Sequence, residues 1–365
     1  MIFEDIYKDK KVIVTGHTGF KGSWLSIWLH NLGANVYGIS LSEKDEGSNF
    51  DSSNLKEKII DIRSDITNLD EIKKNILDIQ PDFIFHLAAQ ALVGESYINP
   101  HTTFNTNVMG SINILESVKD LKKECLVIMI TSDKVYQNKE TFWGYKETDK
   151  IWGKDPYSAS KSMIEIAIES YLSSFLGPGN NNIKIGITRA GNVIGGGDWS
   201  LNRLVPDCMK SWSKNNTVKI RNPDSTRPWQ HVLEPLSGYL LLGFYLKHNK
   251  FNGEAYNFGP NDRNNYSVRD VINQMSNLWD QVTWEDISNE KANFHESNLL
   301  KLNCEKAWHD LEWFPVLSFP ETISYTTKWY KHYYKHNSCM FEFSSNQINN
   351  YVKTAKRMKV PWAKK

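Results

Sequence analysis

A tyrosine and a lysine four residues apart are the pair in this chain best suited to acid–base chemistry. Tyr157 and Lys161 follow Pro156, a residue type that favours the first turn of a helix. At this spacing the phenol and the ammonium share one helix face, where the positive charge lowers the pKa of the phenol toward that of a usable base. Because the spacing is common by chance, it indicates catalysis only together with further motifs.

A polar turn after an apolar strand supplies further candidates. Residues 126–130 are a continuous apolar run typical of a buried strand, and Thr131, Ser132, Asp133 and Lys134 follow it directly. A hydroxyl residue at the end of this strand is one of the further motifs that make the spacing of tyrosine and lysine specific. Asp133 and Lys134 are an acidic and a basic residue side by side, and one interpretation of them is an exposed ion pair in a loop.

Glycines are regularly spaced at the first predicted strand-to-helix turn. Gly16, Gly19 and Gly22 lie between a β-branched run, 11–15, and a stretch with helical apolar spacing, 22–32. Such glycines permit a tight turn, a close approach of the backbone to a pyrophosphate and close packing of helix on strand. Any turn of this kind favours glycine, but its place at the start of a βαβ series favours dinucleotide binding. The residues expected to bind a dinucleotide here are Gly16, Thr18, Gly19, Phe20, Lys21 and Gly22.

The residues after the next strands bear on which dinucleotide binds. The second predicted strand, 35–41, is followed by neither the usual acid for the adenosine ribose nor an arginine for a 2′-phosphate, and Glu43 is the first acid. We therefore expect NAD rather than NADP. Asp65 and Ile66 follow the third strand, where an adenine ring would lie, although a helix-capping aspartate is an equal alternative. Residues after the fourth strand are expected beneath the cofactor, although core packing also explains the alanines: Leu87, Ala88, Ala89 and Gln90.

Strands and helices alternate along the first half of the chain. Besides the elements already named, apolar patterns predict strands at 58–62, 83–87 and 184–188 and helices at 69–79, 100–119 and 156–175. Repeated strands separated by helices indicate an α/β fold, a Rossmann-type doubly wound parallel sheet that binds ligands at the carboxyl ends of its strands.

The pattern changes after residue 190 to loops and isolated helices. We expect an NAD-binding domain over 1–190 and a smaller C-terminal mixed α/β domain, which binds the substrate, mainly over 191–340. A segment near 230–260 is a candidate for return to the first domain. Residues 341–365 form a C-terminal extension, and its basic end, 351–365, is expected to be a solvated tail.

Composition excludes several classes of partner. The 365 residues are 40% apolar and 23% charged, which is typical of an ordered globular protein, and 43 basic against 42 acidic residues leave no field that attracts nucleic acid. No apolar run is long enough for a membrane helix and the start is unlike a signal peptide, so we expect a cytoplasmic protein. The four cysteines are far apart in sequence and His332 and His336 have no further ligand nearby, so we expect no metal site.

Taken together, these motifs resemble the extended short-chain dehydrogenase/reductase family over nearly the whole chain. Within that family the sequence is most similar to the nucleotide-sugar 4,6-dehydratases that act on CDP-glucose. The segments that carry the resemblance are 14–25, 86–90, 131–134, 155–161, 189–199 and 227–239. The last two are long and specific to this subgroup, so they weigh more than the glycine pattern.

The resemblance implies a three-step reaction on one sugar. Tyr157 would take the proton of the sugar 4-hydroxyl while a hydride passes from C4 to NAD, with Lys161 on the nicotinamide ribose and Ser132 on the reacting oxygen. Asp133 and Lys134 would then eliminate water across C5 and C6. The return of hydride to C6 would leave a 4-keto-6-deoxy sugar and regenerated NAD.

The resemblance also implies binding roles and an assembly. Asn107 and Thr131 would contact the cofactor, and the helices that begin at Pro100 and Pro156 would pair into a homodimer or a homotetramer. The residues that would bind the nucleotide sugar are Ser96, Asn192, Arg203, Arg227 and His295.

One departure from the subgroup leaves the substrate open. Where the subgroup has an arginine before its Ser-Tyr pair, this chain has Gly94 and Glu95, in a loop that lines the sugar side. A dehydratase for a dTDP-, UDP- or GDP-hexose and a nucleotide-sugar epimerase therefore stay as alternatives, although the Asp133 and Lys134 pair argues against an epimerase. A non-catalytic regulator that senses NAD is a further alternative, which the presence of Tyr157 disfavours.

Overall fold

A computed structural model describes residues 2–42, 47–177, 182–200, 202–260, 266–288, 299–336 and 339–364. The strands in these ranges are β1 (Lys11–Thr15), β2 (Asn35–Ser40), β3 (Ile60–Arg63), β4 (Phe83–His86), β5 (Cys125–Ile130), β6 (Ile183–Ala190), β7 (Val193–Ile194), β8 (Val218–Ile220), β9 (Thr226–Arg227), β10 (Gln230–His231), β11 (Ala255–Phe258), β12 (Tyr266–Ser267) and β13 (Trp284–Asp286).

Helices cover both faces of the main sheet and make up most of the C-terminal region. The α-helices are α1 (Phe20–Asn31), α2 (Asn49–Ser52), α3 (Leu69–Ile79), α4 (Val93–Ile98), α5 (Pro100–Phe104), α6 (Gly110–Lys119), α7 (Pro156–Ser174), α8 (Leu204–Trp212), α9 (Leu233–Lys247), α10 (Val268–Ser276), α11 (Glu305–Leu311), α12 (Phe319–Lys335), α13 (Met340–Arg357) and α14 (Pro361–Lys364). A π-helical segment, Asn105–Met109, joins α5 to α6, and 3-10 turns lie at Ile2–Asp5, Leu55–Glu57 and Asp133–Val135.

The main sheet has seven parallel strands in the order β11-β6-β5-β4-β1-β2-β3. Both faces are covered, which is why β5 and β6 are buried along their whole length and read as continuous apolar runs. Along β1, Val12 and Val14 pack into one core cluster and Ile13 into the other, as the two-residue period of a strand requires. The predicted Rossmann-type doubly wound sheet is confirmed.

The chain returns to this sheet after leaving it. Residues Ala255–Phe258 form β11 and pair in parallel with β6, and α9, which precedes β11, packs on β5 and β6. The predicted division into domains at 190 and 340 stays a prediction.

The basic C-terminal end is not the solvated tail that the charge pattern predicted. Tyr351, Ala355 and Trp362 are buried, and the ring of Trp362 stacks on Phe3 at a centroid distance of 5.3 Å. Apolar residues recur at helical spacing along α13, so one face packs against α1 while the basic side chains point outward. Counting charges without this periodicity gave the wrong interpretation.

A buried carboxylate joins α9 to the C-terminal region. Glu234 is 1% exposed and accepts hydrogen bonds from the backbone amides of Val316 and Leu317 and from the hydroxyl of Tyr351, at 2.6–3.0 Å. Burial raises the pKa of this carboxyl to about 7, although these donors oppose the shift. The folded chain therefore holds a proton here at a pH where an exposed glutamate has lost it.

This proton makes part of the stability depend on pH. A folded pKa of about 7, against an ordinary value of 4.5, gives a contribution that is complete below pH 4.5 and lost as the pH rises through about 7. Glu234→Gln keeps an acceptor for the two amides and removes the titration. We expect the melting temperature of the unchanged chain to fall as the pH rises from 4.5 to about 7, and the melting temperature of this variant to lack that fall. Thermal unfolding at several pH values in this range is the measurement. The exposed Glu342→Gln is the control, and an unchanged profile for Glu234→Gln would contradict the prediction.

Candidate active site

The glycine loop forms a backbone cradle at the carboxyl end of β1. Gly16 has a φ of +73°, and a Cβ there would lie 2.8 Å from the amide nitrogen of Ala88. A Cβ on Gly22 would lie 2.1 Å from the Gly16 carbonyl oxygen, so only glycine allows the loop to fold back on the first turn of α1. This close packing is what a dinucleotide pyrophosphate at the amino end of α1 requires, so the loop fits such a group.

The next strand ends complete the floor of this cradle. The hydroxyl of Thr15 accepts the amides of Leu87 and Ala88, each at 3.1 Å. After Ala89 the chain reaches Gln90, whose amide donates to the side chain of Asn107 at 2.7 Å. Asn107 also donates to Ser160 at 2.8 Å, which ties this loop to α7.

The residues that the sequence predicts near an adenine ring lie at the β3 edge of the sheet. Thr18 and Ser40 share a hydrogen bond of 2.8 Å at the end of β2, where the expected acid is missing. Asp65 accepts the amide of Thr67 at 2.9 Å, and Ile66 follows it after β3. Because β3 and β5 are four strand positions apart, roughly 19 Å, these two residues lie far from the turn after β5.

Ser132 and Asp133 are held together in the turn after β5. The Ser132 hydroxyl donates to Asp133 Oδ1 at 3.0 Å and accepts the amide of Lys134 at 3.3 Å. Asp133 is 3% exposed, and its Oδ2 has no hydrogen-bond partner among the described residues. A Cβ on Gly191 would lie 2.8 Å from that oxygen, so glycine leaves room for the carboxyl group.

Burial raises the pKa of the Asp133 carboxyl, although the charges of Lys134 and Lys21 and the bond from Ser132 oppose the shift. The acid form is therefore favoured beyond the pH range of an exposed aspartate. A buried carboxylic acid with one free oxygen can donate a proton to a leaving group.

The start of α7 carries the predicted tyrosine and lysine. Asp155 caps the helix by accepting the amide of Ser158 at 3.0 Å. Lys161 Nζ donates to the carbonyl of Ile130, the last residue of β5, at 3.3 Å. Tyr157 and Lys161 are both buried. Because Lys161 bonds to the end of β5, this part of the helix lies next to the turn that carries Ser132 and Asp133.

The pKa of the phenol is shifted opposite to the expectation from the sequence. Burial raises the pKa of Tyr157 and outweighs the hydrogen bond with Ser132 and the charge of Arg203. Burial, together with repulsion from Lys21, also lowers the pKa of Lys161 to about 8. Desolvation dominates at this site, whereas the spacing alone suggested only the attraction between phenolate and ammonium.

Lys21 extends from the glycine loop into the same cluster. Burial and the charge of Arg203 lower the pKa of its ammonium to about 8, while Asp133 and Asp198 oppose the shift. Arg203 in turn is paired with Asp198, with 2.9 Å between Nη1 and Oδ2. The pattern of glycines assigned Lys21 to the cofactor loop but gave no sign that its ammonium lies near Asp133.

The other residues predicted to bind the substrate lie in separate elements of the chain. Ser96 is fully buried and its hydroxyl donates within α4. The carbonyl of Asn192 accepts the amide of Gln230 at 3.2 Å, and Arg227 lies in β9. His295 lies outside the described residues.

A buried ion pair beneath the cluster was not predicted. Glu165 and Arg189 are 4% and 3% exposed, and the guanidinium donates to the carboxylate through Nε and Nη2. The hydroxyl of Thr131 donates to the same carboxylate at 2.6 Å. Glu165 follows Lys161 by one helical turn and Arg189 opens a motif already singled out, but their pairing depends on the fold.

The search for metal and membrane sites covers the described ranges only. The rings of His332 and His336 lie with their centroids 4.6 Å apart and their planes tilted by 37°. Within those ranges no group of three or more His, Cys, Asp or Glu side chains is placed to bind a metal ion. In the same part of the chain no helix has the length and apolar content needed to cross a membrane.

Comparison with known proteins identifies the family. A family model described as GDP-mannose 4,6 dehydratase matches residues 13–326. The chain belongs to this family. A curated relative, the CDP-glucose 4,6-dehydratase of Salmonella typhimurium, is 41% identical over 363 residues, which cover 98% of this chain and 100% of the relative. The resemblance inferred from the motifs is confirmed.

Solved structures share the fold of this GDP-mannose 4,6 dehydratase family member. The epimerase Mth375 of Methanothermobacter thermautotrophicus superposes with a TM-score of 0.75 at 21% identity and covers 94% of this chain and 96% of its own. A UDP-glucose 4-epimerase of Brucella ovis, solved in complex with NAD, superposes with a TM-score of 0.74 at 19% identity, covering 87% and 97%. At these identities the likeness concerns the fold.

Proposed function

We propose that this chain is a sugar-nucleotide 4,6-dehydratase that converts CDP-glucose to CDP-4-keto-6-deoxyglucose. The 41% identity to a CDP-glucose 4,6-dehydratase over the full length of that relative supports both the reaction and the substrate. Its enzyme class is then hydro-lyase. The single observation that carries the proposal is the buried Asp133 carboxyl beside Ser132 and Tyr157, because it combines a proton donor for a leaving hydroxyl with a group that can act on the 4-hydroxyl.

Each of the chain's own residues has a task in this scheme. Tyr157, which lies near Ser132, takes the proton of the 4-hydroxyl, and the charge of Arg203 favours its phenolate against the effect of burial. Lys161, one helical turn further along α7, would bind the nicotinamide ribose. The 4-keto group acidifies the hydrogen on C5, which Lys134 removes. Asp133, favoured in its acid form by burial, gives its proton to the 6-hydroxyl as water leaves.

NAD is the proposed cofactor. The glycine cradle of Gly16 and Gly22 and the buried ammonium of Lys161 fit a dinucleotide with its nicotinamide end at the turn after β5. When bound, NAD accepts hydride from C4 and gives it back at C6. The solved Brucella epimerase binds NAD on the same fold, which supports the choice.

An epimerase is the nearest competing function on this scaffold. Epimerisation at C4 needs no acid for a leaving hydroxyl and no base at C5, so it would leave Asp133 and Lys134 without a task. The burial of Asp133 therefore favours a dehydratase. Gly94 and Glu95 keep the identity of the hexose nucleotide open to test.

We also propose that two copies associate through α7 and the helices before it. Met163 and Ile166 on α7 and Met109 in the preceding helical segment are 46%, 60% and 46% exposed, an apolar face that a second copy would cover. Light scattering on the purified chain should give a dimer or a tetramer, and a monomer would contradict this assembly. Ile166→Lys should shift the balance toward the monomer.

The substrate is tested by incubating the chain, with and without added NAD, with separate CDP-, dTDP-, UDP- and GDP-hexoses. Mass spectrometry then scores the loss of one water. We expect turnover of CDP-glucose. Water loss from another nucleotide sugar alone would keep the reaction and overturn the substrate, while water loss from none would contradict the dehydratase.

Two substitutions separate the oxidation from the elimination. Tyr157→Phe removes the hydroxyl that takes the first proton, so both steps should stop, with a loss of about 100-fold or more. Lys134→Ala should still oxidise C4, seen as the absorbance of reduced nicotinamide, but should release little dehydrated product. Equal loss of C4 oxidation in both variants would contradict this division.

A further inference from the structure

The segment that carries Ser132, Asp133 and Lys134 is anchored at both of its ends by the same buried ion pair. At one end the Thr131 hydroxyl donates to Glu165 Oε1 at 2.6 Å. At the other end Arg189 Nη1 donates to the Tyr136 hydroxyl at 2.7 Å, and the guanidinium carbon lies 4.9 Å from the centre of that ring. The three residues that the proposed elimination needs thus lie between two fixed points.

The same ion pair is part of the helix that carries the oxidising group. Tyr157, Lys161 and Glu165 follow one another at four-residue spacing on α7, so they share one face of that helix. The charge of Glu165 also stabilises the ammonium of Lys161, against the effect of burial on its pKa. Glu165 is thus one of the links between the turn and α7, beside the bonds from Lys161 to the carbonyl of Ile130 and from Ser162 to the carbonyl of Val135.

A second arm of the network reaches the C-terminal region. The Tyr136 hydroxyl donates to the side chain of Asn257 at 2.7 Å, and Asn257 donates to the carbonyls of Tyr145 and Asn303 at 2.9 and 3.0 Å. Tyr136 and Tyr145 stack with centroids 5.3 Å apart. Tyr136, at the end of the turn, is thus bonded through Asn257 of β11 to Asn303, which lies just before α11.

From these contacts we infer that Glu165 and Arg189 are positioning residues for water elimination, which fix the turn of Ser132, Asp133 and Lys134 against Tyr157 on α7. The inference rests on the proposed function. Neither residue needs to touch the substrate. A buried ion pair is costly to form, and removing one partner leaves an unpaired buried charge, so direct substitution of either would test folding rather than positioning.

The test therefore removes one tether at a time and leaves the ion pair intact. Thr131→Val keeps the shape of the side chain but loses the bond to Glu165 and a longer contact of 3.2 Å with the carbonyl of Thr188. Thr131→Ser keeps the hydroxyl and is the matched control. Tyr136→Phe loses the hydroxyl between Arg189 and Asn257. Thermal unfolding first establishes that each variant is folded.

The readout is the fate of the sugar in a single turnover with CDP-glucose and NAD, quenched and analysed by mass spectrometry. We expect Thr131→Val and Tyr136→Phe to accumulate the oxidised sugar that still holds its 6-hydroxyl, because Asp133 and Lys134 are displaced while Tyr157 stays on its helix. Elimination should slow by roughly ten- to 100-fold, as small misplacements of reacting groups do. Thr131→Ser keeps the hydroxyl that bonds Glu165, so it should eliminate water faster than Thr131→Val.

Three outcomes would overturn the inference. If oxidation and elimination slow by the same factor in Thr131→Val and Tyr136→Phe, the network supports the fold and not this step. The same conclusion follows if Thr131→Ser fails to restore elimination. If the unchanged chain releases no water from any nucleotide sugar, the proposed function fails first and this inference fails with it.

Discussion

At the carboxyl edge of the sheet, Asp133, Tyr157 and Lys161 are buried and Lys21 is partly buried, and desolvation is the largest cause of the pKa shift of each. Burial favours the neutral form of every one of these groups, so the pKa of the acid rises while those of the ammonium groups fall. The pKa of Asp133 and those of Lys21 and Lys161 are thereby shifted toward each other, whereas the pKa of Tyr157 is shifted further up. The rest of the fold must hold them there against the cost of burying them.

The parallel sheet meets that requirement because the ends of β1, β5 and β6 converge on one edge. β1 delivers the glycine loop with Lys21, β5 delivers the turn of Ser132 and Asp133, and β6 begins the path to Gly191. α7 then docks across the end of β5 through Lys161. The buried Glu165–Arg189 pair lies at this junction, where its hydrogen bonds to Thr131 and Tyr136 add rigidity.

The sequence predicted the elements that have a local signature. The alternation of strands and helices, the glycine turn, the start of α7 at Pro156 and the shared helix face of Tyr157 and Lys161 follow from periodicity and short motifs, and the family resemblance linked them to a reaction. The prediction that was wrong and the contacts that were not predicted depend on segments that are distant in sequence. The burial of Trp362 under Phe3, the approach of Lys21 to Asp133 and the pairing of Glu165 with Arg189 each join residues far apart in sequence or direct a side chain across the fold. The direction of the Tyr157 pKa shift was missed for the same reason, since the spacing of Tyr157 and Lys161 carries no information on how deeply they are buried.

In the proposed reaction the side chains of one cluster act in all steps on a single sugar. C4 is oxidised, water is eliminated, and the hydride taken from C4 returns to C6. The most direct measurement is turnover of CDP-glucose that carries deuterium at C4, with the position of the label in the product read by NMR. We expect the deuterium on C6 of the 4-keto-6-deoxy sugar. A 4-keto-6-deoxy product that has lost the label to solvent, or an epimerised sugar that keeps the label at C4, would contradict this hydride transfer.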